Sequence, residues 1–353
     1  MNKLSSLKPV KIGNKTLGKN HKCYIVAEIG SNFDGSLLQA KKLIRLAKNC
    51  GADAAKFQSF KTENLLSRKG FEKRQGYQTR WKKSVWDVYK SAELPREWHK
   101  ELNQYARKIG IHFFTSAWDF EAVDLLENIN APAIKIGSGD LTYHKLLEYA
   151  ASTKKPILLA TGISTMKEIE EAVKVIRSVG NNQIILLHSV VQYPSPIEFA
   201  NLKVLETLRE KFKLNVGYSD HSLGSLVALA SVVLGACIIE KHFTIDPTLS
   251  GPDHPHAMDP KSFKEMVQSI RLLEKAIGDG IKKIEPIEQE TRIIMRRGIW
   301  TTRKISKGEK FTKGNVMALR PAIGISASEY DFVIGKVARR SYQPFEALRK
   351  NDF

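Results

Sequence analysis

Cysteine is scarce in this chain: there are three in 353 residues, Cys23, Cys50 and Cys237, each inside an apolar stretch. A sparse, odd-numbered set excludes a disulfide framework and fits a reducing compartment, so a cytoplasmic protein is expected. Long apolar runs are also missing. The longest, Leu226 to Ile239, is broken by Ser231 and Gly235 and falls short of the roughly 20 residues that a membrane span needs. The opening MNKLSSLKPVKIGNK lacks the apolar core of a secretory signal. Acidic side chains are in deficit, 37 against 56 Lys and Arg, for a formal net charge of +19. The basic residues are nevertheless scattered along the whole length and interleaved with acidic ones. With no zinc-finger spacing, no aromatic ribonucleoprotein motif and no pure Lys/Arg tract, a nucleic-acid partner is not expected. A positive field of this kind instead concentrates an anionic small substrate, most strongly in a low-dielectric cleft.

What is present is a large apolar fraction, 42% of the residues, enough for one large core and a smaller second unit. Short β-rich runs recur at Tyr24 to Ala27, Ala54 to Phe57, His112 to Thr115, Ala133 to Ile136, Ile157 to Leu159, Ile184 to Leu187, Asn215 to Tyr218 and Ile238 to Ile239. Between them lie segments with apolar residues three and four apart, among them Leu37 to Asn49, Arg96 to Lys108, Phe120 to Asn128, Met166 to Val179, Leu223 to Leu234 and Pro260 to Ile277. Eight such repeats predict an α/β fold, a closed (β/α)₈ barrel, with an open doubly wound sheet as the alternative. Residues 61–91 interrupt the rhythm with many charges and with Trp81 and Trp86. That segment is either a lid on the catalytic face or a solvated insertion anchored by its aromatics. After Ile277 the texture changes to a Gly/Pro/charge-rich connector and then to short β-prone pieces between Gly and Lys turns. The expected organisation is a barrel domain over residues 1–280, a linker at 281–292 and a small module over 293–353.

Barrel enzymes carry their chemistry at the carboxyl ends of the strands. There the sequence offers Glu28, Lys56 and Gln58, Thr115 and Ser116, Lys135 and Ser138, His188 and Tyr193, then Asp220, His221, Glu240, Lys241 and His242. A lone histidine or lysine at a strand end is more often structural or solvated than functional. Carboxylate, ammonium and imidazole recurring at one register of the repeats is a different matter. The two lysines, several hydroxyls and glycine-flanked turns read as a phosphate cradle, and His221 and His242, at the ends of successive strands, read as ligands of one metal ion.

The motifs AEIGSNFDGS, GADAAKFQSF, KIGSGD, ATGIS, YPSP, VGYSDHSLG, IEKHFT and GPDH, followed by KISKGEKFT, LRPAIGIS and VIGKVARR, resemble the N-acetylneuraminate (sialic acid) synthase family, the nonulosonate synthases, from about residue 10 to the carboxyl end. The tail resembles that family's antifreeze-like SAF domain, and WDVYKSAELPREWH is similar to the pseudaminic acid synthase branch. The resemblance implies condensation of phosphoenolpyruvate with an N-acyl amino sugar such as N-acetylmannosamine, giving a nine-carbon 2-keto sugar acid and phosphate. Pseudaminic or legionaminic acid synthesis, or a catalytically silent sugar-binding homologue, are the alternatives. It further implies a divalent metal, typically Mn²⁺ with Mg²⁺ or Co²⁺ as substitutes, on His221 and His242, acting as a Lewis acid on the sugar aldehyde. Glu28 would handle the water proton or the cationic centre, with Glu240 assisting. Lys56, Ser116, Lys135, Ser138 and Ser219 would hold phosphoenolpyruvate, and Gln58, Tyr193 and Asp253 the sugar. Arg320 would reach the acyl group in a partner subunit's barrel, which implies a domain-swapped homodimer. Phe33, Asp34, Ala160 and Val191 depart from the family pattern and are expected to bear on substrate choice.

Overall fold

The structure, a computed structural model, describes residues 7–74 and 76–353. Residues 1–6 of the opening segment and Gln75 of the insertion, both covered by the readings above, lie outside the described residues. The chain divides into two compact units, Met1–Gly278 and Asp279–Phe353.

The first unit is a closed barrel of parallel strands. In chain order these are β1 (Tyr24–Gly30), β2 (Ala54–Ser59), β3 (His112–Ala117), β4 (Ile134–Ile136), β5 (Ile157–Ala160), β6 (Ile184–His188), β7 (Asn215–Asp220) and β8 (Ile238–His242). Each pairs with the next, and β8 closes on β1 with Glu240 opposite Val26 and His242 opposite Glu28. Every residue of β1, β5, β7 and β8 is buried, as expected for a parallel sheet covered on both faces. Polar residues in such strands therefore need a partner inside the protein.

The outer ring consists of α1 (Leu37–Asn49), α2 (Trp98–Ile109), α3 (Phe120–Asn128), α4 (His144–Ser152), α5 (Met166–Ser178), α6 (Val204–Phe212), α7 (Leu226–Val233) and α8 (Pro260–Ile277). In α1 the buried residues are Ala40, Leu43, Ile44 and Ala47, one stripe at helical spacing, and Ser36 caps the helix by accepting from the Gln39 amide. Burial of each Leu or Ile of such a stripe contributes about 1.5–3 kcal/mol. Helices α4 and α6 were not among the segments named from periodicity. The other end of the barrel is closed by a hairpin, Val10–Ile12 and Lys15–Leu17. Its Asn14 Oδ1 lies 3.0 Å from His112 Nε2, while the Lys8 carbonyl accepts from Asn215 Nδ2 at 2.8 Å. His112 and Asn215 begin β3 and β7, so the hairpin seals the amino-terminal face.

The insertion after β2 is more ordered than a loop. It contains a short helix, Thr62–Leu65, and a longer one, Val85–Ala92, capped by the Ser84 hydroxyl on the Asp87 amide. The expected linker is also structured, with a 3₁₀ turn at Pro286–Glu288 and a helix at Gln289–Met295. Pro286 stands at the first position of that turn, where its missing N–H costs nothing, so the proline starts helical structure here and does not mark irregular chain.

The second unit pairs β9 (Gly298–Thr301) with β10 (Val316–Leu319) in an antiparallel ribbon. It has its own core, built around Ile299, Ile305, Phe311, Val316, Val333, Tyr342 and Leu348. Among the described residues no helix is long and apolar enough to cross a membrane.

Candidate active site

Side chains alternate along a strand, and in β8 this divides the labour. Lys241 faces outward to a buried ion pair with Asp220 at 2.7 Å. Glu240 and His242, on either side of it, face the barrel axis. Glu240 meets Lys135 of β4 across the interior at 2.9 Å and Lys56 of β2 at 3.7 Å, and its Oε1 accepts from the Ser219 hydroxyl at 2.9 Å. Lys56 in turn pairs with Glu28 at 2.6 Å and donates to Ser116 Oγ at 3.0 Å, while Gln58 Nε2 donates to Glu28 Oε1 at 2.8 Å. One buried network thus joins seven of the expected site residues. Burial by itself would raise Glu240, but Lys135 and Lys56, with hydrogen bonds from Lys135 and Ser219, outweigh it and hold the carboxyl down at about 2. Burial wins at Glu28, whose carboxyl is raised despite Lys56. Glu240 Oε2 is buried without a hydrogen-bond partner and so remains an open acceptor.

Ser138 sits beside this network. Its Oγ accepts from the Gly162 amide at 3.1 Å and lies 3.4 Å from Ser189 Oγ. A Cβ on Gly162 would come within 2.5 Å of Val191 Cγ2 and 2.7 Å of Ser189 Oγ, so only glycine lets these strand ends converge. Ser189, buried and hydroxyl-bearing, was not singled out from the sequence, although it directly precedes Val190 and Val191.

The imidazoles form a second cluster above the first. The rings of His221 and His242 have centroids 5.6 Å apart, and those of His242 and His256 4.6 Å. Tyr193 lies against all three, 4.3 Å from His221, 5.1 Å from His256 and 6.0 Å from His242. His221 Nδ1 lies 2.8 Å from the Val190 carbonyl. A carbonyl only accepts, so Nδ1 carries the proton and Nε2 keeps a free lone pair. His242 Nδ1 and His256 Nε2 are buried with no partner. Burial lowers the pKa of each ring, that of His221 to about 4. Neutral rings with uncommitted nitrogens are what a divalent cation requires. Among the described residues the side chains whose ligand atoms converge are His242, His256 and Asp253, so of the expected pair His242 stands in that group and His221 beside it.

Other expected residues have other work. His188 Nε2 is 3.0 Å from the Ala200 carbonyl. Phe33 is core, packed between Phe57 and Trp98. Asp34 accepts from His254 at 3.0 Å and from Gln39, so this departure from the family pattern braces a loop. Ala160 is buried at the end of β5. Arg320 belongs to the second unit, where it is exposed with Nη1 3.7 Å from Met295 Sδ.

A cavity of about 320 Å³ opens over the cluster. Its polar floor includes Gln58, Tyr193, His242, Asp253 and His256, and its walls include Phe60, Trp118 and, from the insertion, Trp81, Val88, Tyr89 and Ala92. Phe60 stacks on Trp118 at 4.9 Å and meets Tyr89 edge-on at 5.7 Å. The insertion therefore walls the site. Of the two readings of residues 61–91, a lid on the catalytic face or a solvated insertion, the lining of the cavity by Trp81, Val88 and Tyr89 favours the first. Phe60, Tyr89 and Trp118 were not singled out, because aromatic residues in a charged loop carry no period.

A closed (β/α)₈ barrel with a buried lysine–carboxylate network, an imidazole cluster at its mouth and a separate β-ribbon unit defines a class of barrel enzyme with a C-terminal accessory domain. The NeuB family matches over residues 43–282 and the SAF domain over residues 296–353. The N,N'-diacetyllegionaminic acid synthase of Campylobacter jejuni is 43% identical, over 93% of this chain and 99% of that one. The pseudaminic acid synthase of Helicobacter pylori is 37% identical, over 93% and 97%. Among solved structures, the N-acetylneuraminic acid (sialic acid) synthetase of Leptospira borgpetersenii is similar with a TM-score of 0.73 at 32% identity, covering 81% of this chain and 95% of that one. The chain belongs to the NeuB family and is an enzyme of that family, with a C-terminal SAF domain.

Proposed function

We propose that this enzyme is a sialic-acid-type synthase that condenses phosphoenolpyruvate with the open-chain aldehyde of an N-acyl amino sugar, releasing phosphate and a nine-carbon 2-keto sugar acid. The observation that carries the reading is the buried network of Glu28, Lys56, Ser116, Lys135, Ser219 and Glu240 directly below an imidazole cluster. His221 and His242 would hold a divalent cation, with Mn²⁺ the first choice, which when bound would supply Lewis acidity for the aldehyde. Lys56 and Lys135, with Ser116, Ser138 and Ser219, hold the phosphate and carboxylate of phosphoenolpyruvate. Each ammonium is already neutralised by a carboxylate, so it turns toward the substrate without an unpaired charge ever being buried. Gln58, Tyr193 and Asp253 orient the sugar. As C3 of phosphoenolpyruvate bonds to the aldehyde carbon, positive charge develops at C2. Glu28 stabilises that charge and takes the proton from the water that adds there. The open Glu240 Oε2 accepts from a sugar hydroxyl. Collapse of the C2 adduct breaks the bond to phosphate.

The apolar wall of Phe60, Trp81, Val88, Tyr89 and Trp118 favours a second acceptor. A dideoxy-diacetamido hexose offers methyl and acetyl groups to such a wall, where N-acetylmannosamine offers hydroxyls. The names of the Campylobacter and Helicobacter relatives point the same way, while that of the Leptospira structure points to N-acetylmannosamine. Arg320 is exposed on the SAF unit, which supports its service to the sugar's acyl group in a partner subunit's barrel and hence a homodimer. Three buried, unpaired cysteines support a cytoplasmic setting.

The test is a panel of amino sugars with phosphoenolpyruvate and Mn²⁺, followed by phosphate release and product mass. His221→Ala is expected to lose turnover and metal retention together while keeping its circular dichroism. Normal turnover in that variant sinks the metal assignment, and no phosphate release with any aldose sinks the synthase reading.

A further inference from the structure

The loop after β8 carries two histidines in quite different circumstances. His254 is fully committed: Nδ1 is 2.6 Å from Thr244 Oγ1 and Nε2 is 3.0 Å from Asp34 Oδ1. His256, two residues on and just as buried, has no partner for Nε2. A structural histidine satisfies its ring as His254 does, and a buried ring nitrogen left open costs free energy unless a ligand compensates it.

The position of His256 is built. The Met258 amide donates to the His242 carbonyl at 2.9 Å and the Thr244 amide to the Met258 carbonyl at 3.0 Å, so the loop returns to bridge the end of β8 at one residue pair, Met258 against Phe243. Its 3₁₀ turn His254–His256 then holds the His256 ring 4.6 Å from that of His242. Ligand atoms of His242, His256 and Asp253 all lie within 4.8 Å of one another. His221 is outside that group, its ring centroid 5.6 Å from that of His242, and has to move inward to share an ion with them. Asp253 is held in turn: its Oδ2 accepts from the Ser31 amide and hydroxyl, both at 2.9 Å. Gly30 makes room for it, since a Cβ there would sit 2.4 Å from Asp253 Oδ2, at a φ of +54°.

We propose that His256 is a third imidazole ligand of the cation bound by His221 and His242, with the Asp253 carboxylate at its edge. This rests on the metal reading above and deepens it. Its chemical consequence is selectivity. A third imidazole in place of water or carbonyl oxygen moves the site away from hard ions toward Co²⁺ and Zn²⁺, in the Irving–Williams sense.

The experiment uses the full-length protein and the metal alone, without substrates. Mn²⁺ and Co²⁺ affinities are measured by calorimetry, and imidazole nitrogens coupled to bound Mn²⁺ are counted by pulsed electron paramagnetic resonance, for the native chain, His256→Ala, His256→Asn and His221→Ala. The expected result is three coupled nitrogens in the native chain and two in both His256 variants. Their Co²⁺ affinity falls by at least about tenfold, more than their Mn²⁺ affinity does. Two variants of different shape guard against misfolding, and thermal melts check each. Two nitrogens in the native chain, or unchanged affinities in both His256 variants while His221→Ala loses the ion, overturn the role of His256 and leave the two-histidine site standing. A native chain that binds no ion overturns both readings.

Discussion

His99 illustrates how one buried side chain sets acid stability away from the site. Its Nε2 faces the Ser59 hydroxyl at the end of β2 and its Nδ1 lies 3.0 Å from the Arg96 carbonyl. Burial first, and then the Arg96 guanidinium, lower its pKa to about 4, against about 6.5 in an unfolded chain. A histidine depressed on folding stabilises fully above the unfolded value, and that contribution is lost as pH falls from there to about 4, on the order of 3 kcal/mol in all. Urea midpoints measured between about pH 7 and pH 4 should therefore fall for the native protein. The His99→Gln variant should show a flatter profile, and an equally steep one would mean that other groups govern the acid limb.

At the scale of elements, the insertion decides what the barrel mouth is made of. Phe60 at the end of β2, Trp118 after β3 and Tyr89 on the inserted helix form one aromatic wall, in which the stacked pair has an interplanar angle of 18°. An aromatic contact of this kind is worth about 0.5–1.5 kcal/mol beyond its buried area. Trp118→Ala should then raise KM for the amino sugar by up to about tenfold and leave KM for phosphoenolpyruvate unchanged, because the lysine network lies below the wall. A rise in both constants would show that the wall supports the whole rim and not the sugar alone.

At the scale of the molecule, the proposed dimer makes the two units answerable to different active sites. Glu28→Gln removes the proton acceptor and is expected to cut kcat by about 10²–10⁴-fold. Arg320→Ala removes the proposed acyl contact and is expected to raise KM for the sugar. If Arg320 serves the other subunit, unfolding and refolding the two variants together produces heterodimers with one intact site, and activity rises above that of either variant refolded alone. Activity that never exceeds the mean of the two would place Arg320 in its own subunit or outside the site. The net charge of +19 belongs to this scale too, since the field drawing in an anionic substrate is summed over the whole chain.

The amino-acid sequence by itself determined the barrel. Parallel strands buried on both faces must be continuous apolar runs, and polar side chains recurring at the ends of several such runs, as in Lys56, Lys135 and Glu240, mark a shared site where one alone would not. Periodicity also located α1, α3 and α8, whose apolar stripes and caps are local properties. Only the tertiary structure decided who pairs with whom. Glu240 meets Lys135 across the barrel interior, and nothing in the separation of these residues along the chain announces it. Asp34 and His254 meet because the loops after β1 and β8 are neighbours in a closed sheet. His256 was present in GPDHPHA all along, but its neighbour His254 looks identical in sequence. One ring is satisfied and the other left open by where the backbone turns, because hydrogen-bond saturation belongs to the folded surroundings and not to the residue.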